Sequence, residues 1–209
     1  MNPTARPAVR SLPAEVRPPM ADALDQIASE GCGGVTVICG FPASGKSTAA
    51  KYLAAIIDAV IIDKDSFAPD LEESVMTELT GNPHDKDSAT YMRVVNPHIY
   101  AAFVHQALMV GHRVPVVVDA PFLGHVQTAA ARGLSLSEQI TSSTSLPAPP
   151  VRTVWVSAHP LQIRERMTHR GAHRDSGKLA NWDDYRANVL ESGVEDAART
   201  VVDYVARNY

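Results

Sequence analysis

Cysteine is scarce in this chain of 209 residues: there are two, Cys32 and Cys39, seven apart and with no Cys-x-x-Cys pair. That excludes a disulfide framework and the usual zinc patterns. The eight histidines carry no metal-ligand spacing either. Long apolar runs are also missing, since none approaches the roughly 18 residues of a membrane span. Met1 to Pro19 lacks the apolar core of a signal peptide, so the predicted compartment is the cytoplasm, with an Arg-bearing transit peptide as the alternative. Positive charge is not in excess. A net charge of -4 and a pI near 6.0 give no global basic field, which argues against a protein whose main task is gripping nucleic acid. No internal repeat is present.

What remains is an ordinary globular composition. With 45% apolar residues the chain can bury one sizeable core, and a second full domain would not fit. Residues 1–19 hold five prolines and three arginines and read as a flexible arm, leaving 20–209 as a single domain. Strands are predicted at Val35–Cys39, Ala59–Asp63, Val114–Asp119 and Thr153–Ser157. Helices are predicted over Met20–Ser29, Thr48–Ile57, Leu71–Leu79 closed by Gly81, Tyr91–Val110 with Pro97 at a helix start, Leu123–Ile140 with a weak point at Gly133, Leu161–Arg170, and Glu195–Arg207. A fifth strand is hard to place, because Thr200–Val205 has strand character inside the last helix. Alternating strands and helices predict an α/β fold, a parallel sheet covered on both faces, with ligands at the carboxyl ends of the strands.

Between Gly40 and Ser47 the sequence Gly-Phe-Pro-Ala-Ser-Gly-Lys-Ser matches G-x-x-x-x-G-K-[ST], the loop that cradles nucleoside triphosphate phosphates. A β-branched strand precedes it and an Ala-rich helix follows, which is the order this loop requires. Wrapping a backbone around phosphate turns N–H groups inward, and glycine permits the close approach. This predicts ATP-binding residues Gly40, Ala43, Ser44, Gly45, Lys46, Ser47 and Thr48, with Lys46 also supplying charge to the transferred group and Ser47 a hydroxyl to Mg²⁺.

Three acids sit at strand ends. Asp63 and Asp65 lie in the turn Asp63-Lys64-Asp65-Ser66-Phe67, and Asp119 ends the run Pro115-Val116-Val117-Val118. A kinase needs a carboxylate near the γ-phosphate to orient the acceptor hydroxyl and take its proton. Asp65 is the first choice for that base and Asp63 for an acceptor-binding group; either carboxylate could instead cap the next helix. Asp119 is placed beside Mg²⁺ or the substrate, with a solvated turn acid as the plainer reading. Arg166 and Arg170, one helical turn apart, and Arg174 beyond Gly171 could converge on phosphate from a lid spanning about 166–182, or form a solvated helix face. Tyr91 and Arg93, with His98 nearby, lie where acceptor-binding elements are expected.

Taken together, Gly40 to Ser47, Ile62 to Phe67, Asp119-Ala120-Pro121-Phe122 and the run from Arg164 to Tyr185 resemble the P-loop small-molecule kinases, among them zeta toxins, chloramphenicol phosphotransferase and gluconate kinases. The likeness covers about four fifths of the chain, from Val35 onward. It implies a three-layer, nucleoside-kinase-like P-loop NTPase fold with an arginine-bearing lid, an Mg-ATP donor and a small hydroxyl acceptor. By it Asp65 matches the base, Lys46 and Ser47 the phosphate and Mg²⁺ ligands, and Arg166 and Arg170 lid arginines. Ala68 departs from zeta toxins, which usually carry a basic residue there, and so from their nucleotide-sugar acceptor. Two other readings stay open: a nucleic-acid 5'-hydroxyl kinase, which the net charge disfavours, and a nucleotide-dependent switch or ATPase. There is no Asn-Lys-x-Asp guanine motif, and the chain is short for a ring-forming ATPase.

Overall fold

The computed structural model describes residues 16–31, 33–142, 144 and 147–209. The expected arm over residues 1–19 lies outside them up to residue 15, as does Cys32. Helix α1 (Pro18–Ser29) starts two residues earlier than predicted, on a proline pair whose fixed φ suits a first turn. Its buried stripe is Met20, Leu24 and Ile27. Next come β1 (Val35–Cys39), α2 (Lys46–Ile57), β2 (Val60–Asp63), the single turn α3 (Lys64–Phe67) and α4 (Pro69–Thr80). A π turn over Tyr91–Val95 leads into α5 (Asn96–Gly111), followed by β3 (Val116–Asp119), α6 (Leu123–Arg132), α7 (Leu136–Thr141) and β4 (Val151–Ser157). The last third holds α8 (Pro160–Arg170), a 3-10 turn at His173–Asp175, α9 (Ser176–Ala180), α10 (Trp182–Tyr185), a second π turn at Arg186–Leu190, α11 (Val194–Val201) and β5 (Tyr204–Arg207). None of these helices is long and apolar enough to cross a membrane among the described residues.

All five strands are parallel, in the order β2-β3-β1-β4-β5. The central strands β1 and β3 are buried along their whole length, as expected where helices cover both faces. Alternate side chains feed two cores. Val37, Cys39, Val118 and Trp155 pack with Phe103, Leu108, Val126 and Ala198 of α5, α6 and α11. Ile38, Val117, Val154 and Val156 pack with Leu24 of α1 and Leu53 of α2 on the opposite face. Helix α1 is therefore part of the domain's second face, and Tyr52 of α2 donates to Asp25 across it at 3.0 Å.

Two predicted elements differ. The expected helix Leu123–Ile140 is two helices, because Gly133 takes a left-handed φ of 66° and Ser135 with Glu138 forms a capping box that starts α7. The expected terminal helix Glu195–Arg207 stops at Val201, and Tyr204–Arg207 is the fifth strand. Asp203 makes the switch: its carboxylate accepts from the Thr153 N–H and hydroxyl, both at 2.8 Å, and fixes the chain alongside β4.

Candidate functional site

The phosphate loop leaves β1 at the centre of the sheet and enters α2 at Lys46. Gly40 has φ 141°, and a Cβ there would stand 2.7 Å from the Val156 carbonyl oxygen. Gly45 has φ 105°, and its Cβ would collide with the Asn208 amide. The loop's carbonyls are held from behind. The Ser44 oxygen accepts from Asn208 Nδ2 at 2.8 Å and Arg166 Nη1 at 3.0 Å, and the Phe41 oxygen accepts from Lys46 Nζ at 2.9 Å. Helix α2 has no side-chain cap, so its first N–H groups open on the cleft as an anion site.

That cleft measures about 1710 Å³. Ala43, Gly45, Lys46, Ser47 and Thr48 line it, whereas Gly40 and Ser44 are buried beneath and shape the loop. Lys46 is buried; desolvation lowers its pKa, and the fields of Asp119 and Asp65 oppose that. The sheet brings the acids together, since β2 and β3 pair with Asp63 opposite Asp119. Asp119 is 5% exposed, and burial raises its pKa against the opposing pull of Lys46 and a hydrogen bond from Ser47. Asp63 and Asp65 divide their parts: Asp63 caps α3, accepting from the N–H groups of Asp65 and Ser66 at 3.3 and 3.1 Å, while the half-exposed Asp65 receives Arg174 Nη1.

The three predicted lid arginines all line the cleft, each with a protein partner. Arg166 donates to the loop carbonyls and to the Asn208 oxygen at 3.1 Å. Arg170 makes a two-pronged pair with buried Asp175 at 2.9 and 2.6 Å, and Arg174 crosses to Asp65. A second crossing joins Lys178 to Asp87 at 2.6 Å. Tyr91 lines the cleft from a buried cluster: its hydroxyl donates to Glu72 at 2.6 Å and accepts from Lys64 at 2.6 Å. Glu72 also takes Lys64 at 2.8 Å and Lys86 at 2.6 Å. Burial would raise the Glu72 pKa, but those hydrogen bonds outweigh it and leave it lowered. Arg93 and His98 are exposed and do not line the cleft; the π turn gives that wall to Met92 and Asn96.

Among the cleft residues that sequence reasoning missed are Arg17, Tyr100, His125 and Asn208. Tyr100 follows Asn96 by one helical turn, a spacing that marks the cleft face of α5 once Asn96 is known to lie there. Its hydroxyl accepts from Phe122 N–H at 3.2 Å, and burial raises its pKa. His125 stacks beside it with ring centres 4.9 Å apart, its pKa lowered by burial. Nothing local in the sequence marks Asn208. Cys39, by contrast, is outside the chemistry: burial pushes its thiol up to about 12.

A family model described as an AAA domain, AAA_33, matches residues 35–191. The chain belongs to this family. The AAA_33 chain is a P-loop kinase-like domain, its five-stranded parallel sheet carrying helices on both faces. Solved structures similar to it include a gluconokinase from Sinorhizobium meliloti 1021, 20% identical over 82% of this chain and 90% of that one, with a TM-score of 0.45. TT1252 from Thermus thermophilus is likewise 20% identical, over 86% of this chain and 90% of its own, with a TM-score of 0.47. No curated protein matches the AAA_33 chain.

Proposed function

We propose that the protein transfers the γ-phosphate of ATP to a hydroxyl group of a small molecule. The observation that carries this reading is Asp65: an accessible carboxylate at the wall of the cleft whose floor is the phosphate loop, within the field of Lys46 and in contact with an arginine of the opposite wall. The cleft volume supports two substrates, since a single small-molecule pocket occupies roughly 300 to 1,000 Å³. Loop N–H groups and Lys46 hold the triphosphate, and Thr48 adds a hydroxyl from the third residue of α2. Asp65 orients the acceptor hydroxyl and takes its proton as the acceptor oxygen bonds to the γ-phosphorus and the bond to the β-phosphate oxygen breaks. Arg174 leaves Asp65 for the phosphate in that step, and Arg170 joins it, so the developing charge meets preplaced guanidiniums. Asp63 and the Tyr91 wall hold the acceptor.

The donor set fits Mg²⁺. Ser47 and Asp119 are hard oxygen donors in hydrogen-bond contact, and no group of three or more His, Cys, Asp or Glu side chains forms a metal cage among the described residues. That suits an ion usually held by one or two protein oxygens plus phosphate and water. When bound it neutralises phosphate charge. A nucleic-acid acceptor is disfavoured because the acceptor wall pairs its cations with carboxylates, Lys64 and Lys86 with Glu72 and Lys178 with Asp87, leaving no continuous basic track on that wall among the described residues.

The test is γ-phosphate transfer from labelled ATP to pooled hydroxyl metabolites and antibiotics, with Asp65→Asn alongside. A labelled product that the variant fails to make, while it still binds ATP, is expected. Turnover surviving within about tenfold would remove Asp65 from the role of base. ADP release with no phosphorylated product would favour the switch or ATPase reading.

A further inference from the structure

The strand order gives the cleft a direction. Asp65 and Asp119 follow β2 and β3 on one side of the central phosphate loop, whereas Arg166 and Asn208 follow β4 and β5 on the other. A nucleotide whose γ-phosphate meets Asp65 must therefore lay its nucleoside toward Arg166 and Asn208. A third side chain lines that end of the cleft: Arg17, which precedes the family-matched span of 35–191 altogether. Helix α1 fixes its backbone, since the Arg17 carbonyl accepts from Met20 and Ala21 N–H at 3.0 Å and α1 is anchored by Met20, Leu24 and Ile27 in the core.

Arg17 and Arg166 both line the cleft, and neither makes a salt bridge among the described residues, although Glu165 lends Arg166 a favourable field. Arg17 Nη1 donates to the Gln162 amide oxygen at 3.2 Å when that amide is oriented to satisfy both of its ends, its nitrogen then donating to the Asn208 oxygen at 3.1 Å. Gln162 thus ties Arg17 to the same residue that braces the phosphate loop. At Arg166 the positive field of Arg17 outweighs the opposing field of Glu165, and Arg166 already has Nη1 and Nη2 engaged with carbonyls. A flat, electron-rich ring between or against such groups relieves that arrangement, because guanidinium planes stack on aromatic faces.

We propose that Arg17 is a nucleotide-binding residue that closes the nucleoside end of the donor site against the purine base. The N-terminal helix, outside the span shared with the family, then contributes to donor recognition. This rests on the proposed ATP site, so the experiment separates the two. Calorimetric affinities for ATP, ADP and inorganic tripolyphosphate, each with Mg²⁺, are measured for the wild type, Arg17→Ala and Lys46→Ala. The expected result is that Arg17→Ala weakens ATP and ADP equally, by about tenfold, and leaves tripolyphosphate unchanged, while Lys46→Ala weakens all three. Equal loss of ATP and tripolyphosphate in Arg17→Ala, or no loss at all, overturns the assignment. ATP affinity unchanged in Lys46→Ala overturns the phosphate-loop reading and this inference with it. The Arg17 side chain makes no cap hydrogen bond to α1, so truncation is expected to leave the thermal midpoint in place. Arg17→Gln serves as the second variant and must show the same ATP-selective loss.

Discussion

On the β4 and β5 side of the phosphate loop the cleft is built from backbone: turning carbonyls braced by Arg166 and Asn208, helix-terminal N–H groups, and glycines where a Cβ would strike Val156 or Asn208. On the β2 and β3 side it is built from side-chain ion pairs drawn from remote segments, with Lys64, Glu72, Lys86 and Tyr91 in one cluster and Arg174 and Lys178 reaching across to Asp65 and Asp87. The first construction recognises what every nucleoside triphosphate shares. The second is made of separable side-chain pairs, which suits the proposed acceptor site. Substitutions on one side should therefore move donor binding, and those on the other should move acceptor handling.

The largest break should come from Asp65→Asn: a fall in kcat of about 10² to 10⁴ with ATP affinity changed by no more than about twofold, read by steady-state kinetics and calorimetry. Glu72→Gln should cost about 3 to 5 kcal/mol of stability in denaturant titration near neutral pH, because it strands buried Lys64 beside Tyr91. The sign with pH follows from the lowered Glu72 pKa. Its contribution is complete above the ordinary glutamate value of 4.5 and is lost as pH falls through the lower folded value, so variant and wild type should converge in acid. The same variant should raise the acceptor KM, since Lys64 lies between Asp63 and Asp65, and leave ATP affinity alone.

Asn208→Ala sharpens the comparison from the donor side. Removing the Nδ2 donor from the Ser44 carbonyl should cost about 1 to 2 kcal/mol of stability and weaken ATP, with the acceptor KM unchanged. The smallest effect belongs to Lys178→Ala. Its partner Asp87 is 74% exposed, so the pair should contribute under about 1 kcal/mol to stability and fade with added salt.

The predicted residues divide along the same line. The loop from Gly40 to Ser47 is contiguous and needs fixed residue types at fixed spacing, so it was legible, as were the β-branched strands that a doubly covered sheet requires. Within Asp63-Lys64-Asp65, sequence named both acids, but only the structure assigns the cap to Asp63 and leaves Asp65 accessible. Arg93 looked equivalent to Tyr91, yet the π turn points these residues, two positions apart, to different surroundings, one buried and one exposed. The fifth strand was obscured because Thr200 to Val205 is apolar enough for either state; Asp203 and its bonds to Thr153, fifty residues away, end the helix.

By itself, then, the sequence determined the α/β sheet, the phosphate loop and the acids at strand ends, since these depend on local periodicity and on residue types that backbone geometry demands. Only the tertiary structure decided which helix the last strand escapes, which acid remains accessible, and that Arg17, Tyr100, His125 and Asn208 share the cleft. Those outcomes depend on side chains from distant segments meeting across the sheet, and neighbours along the chain do not encode such meetings.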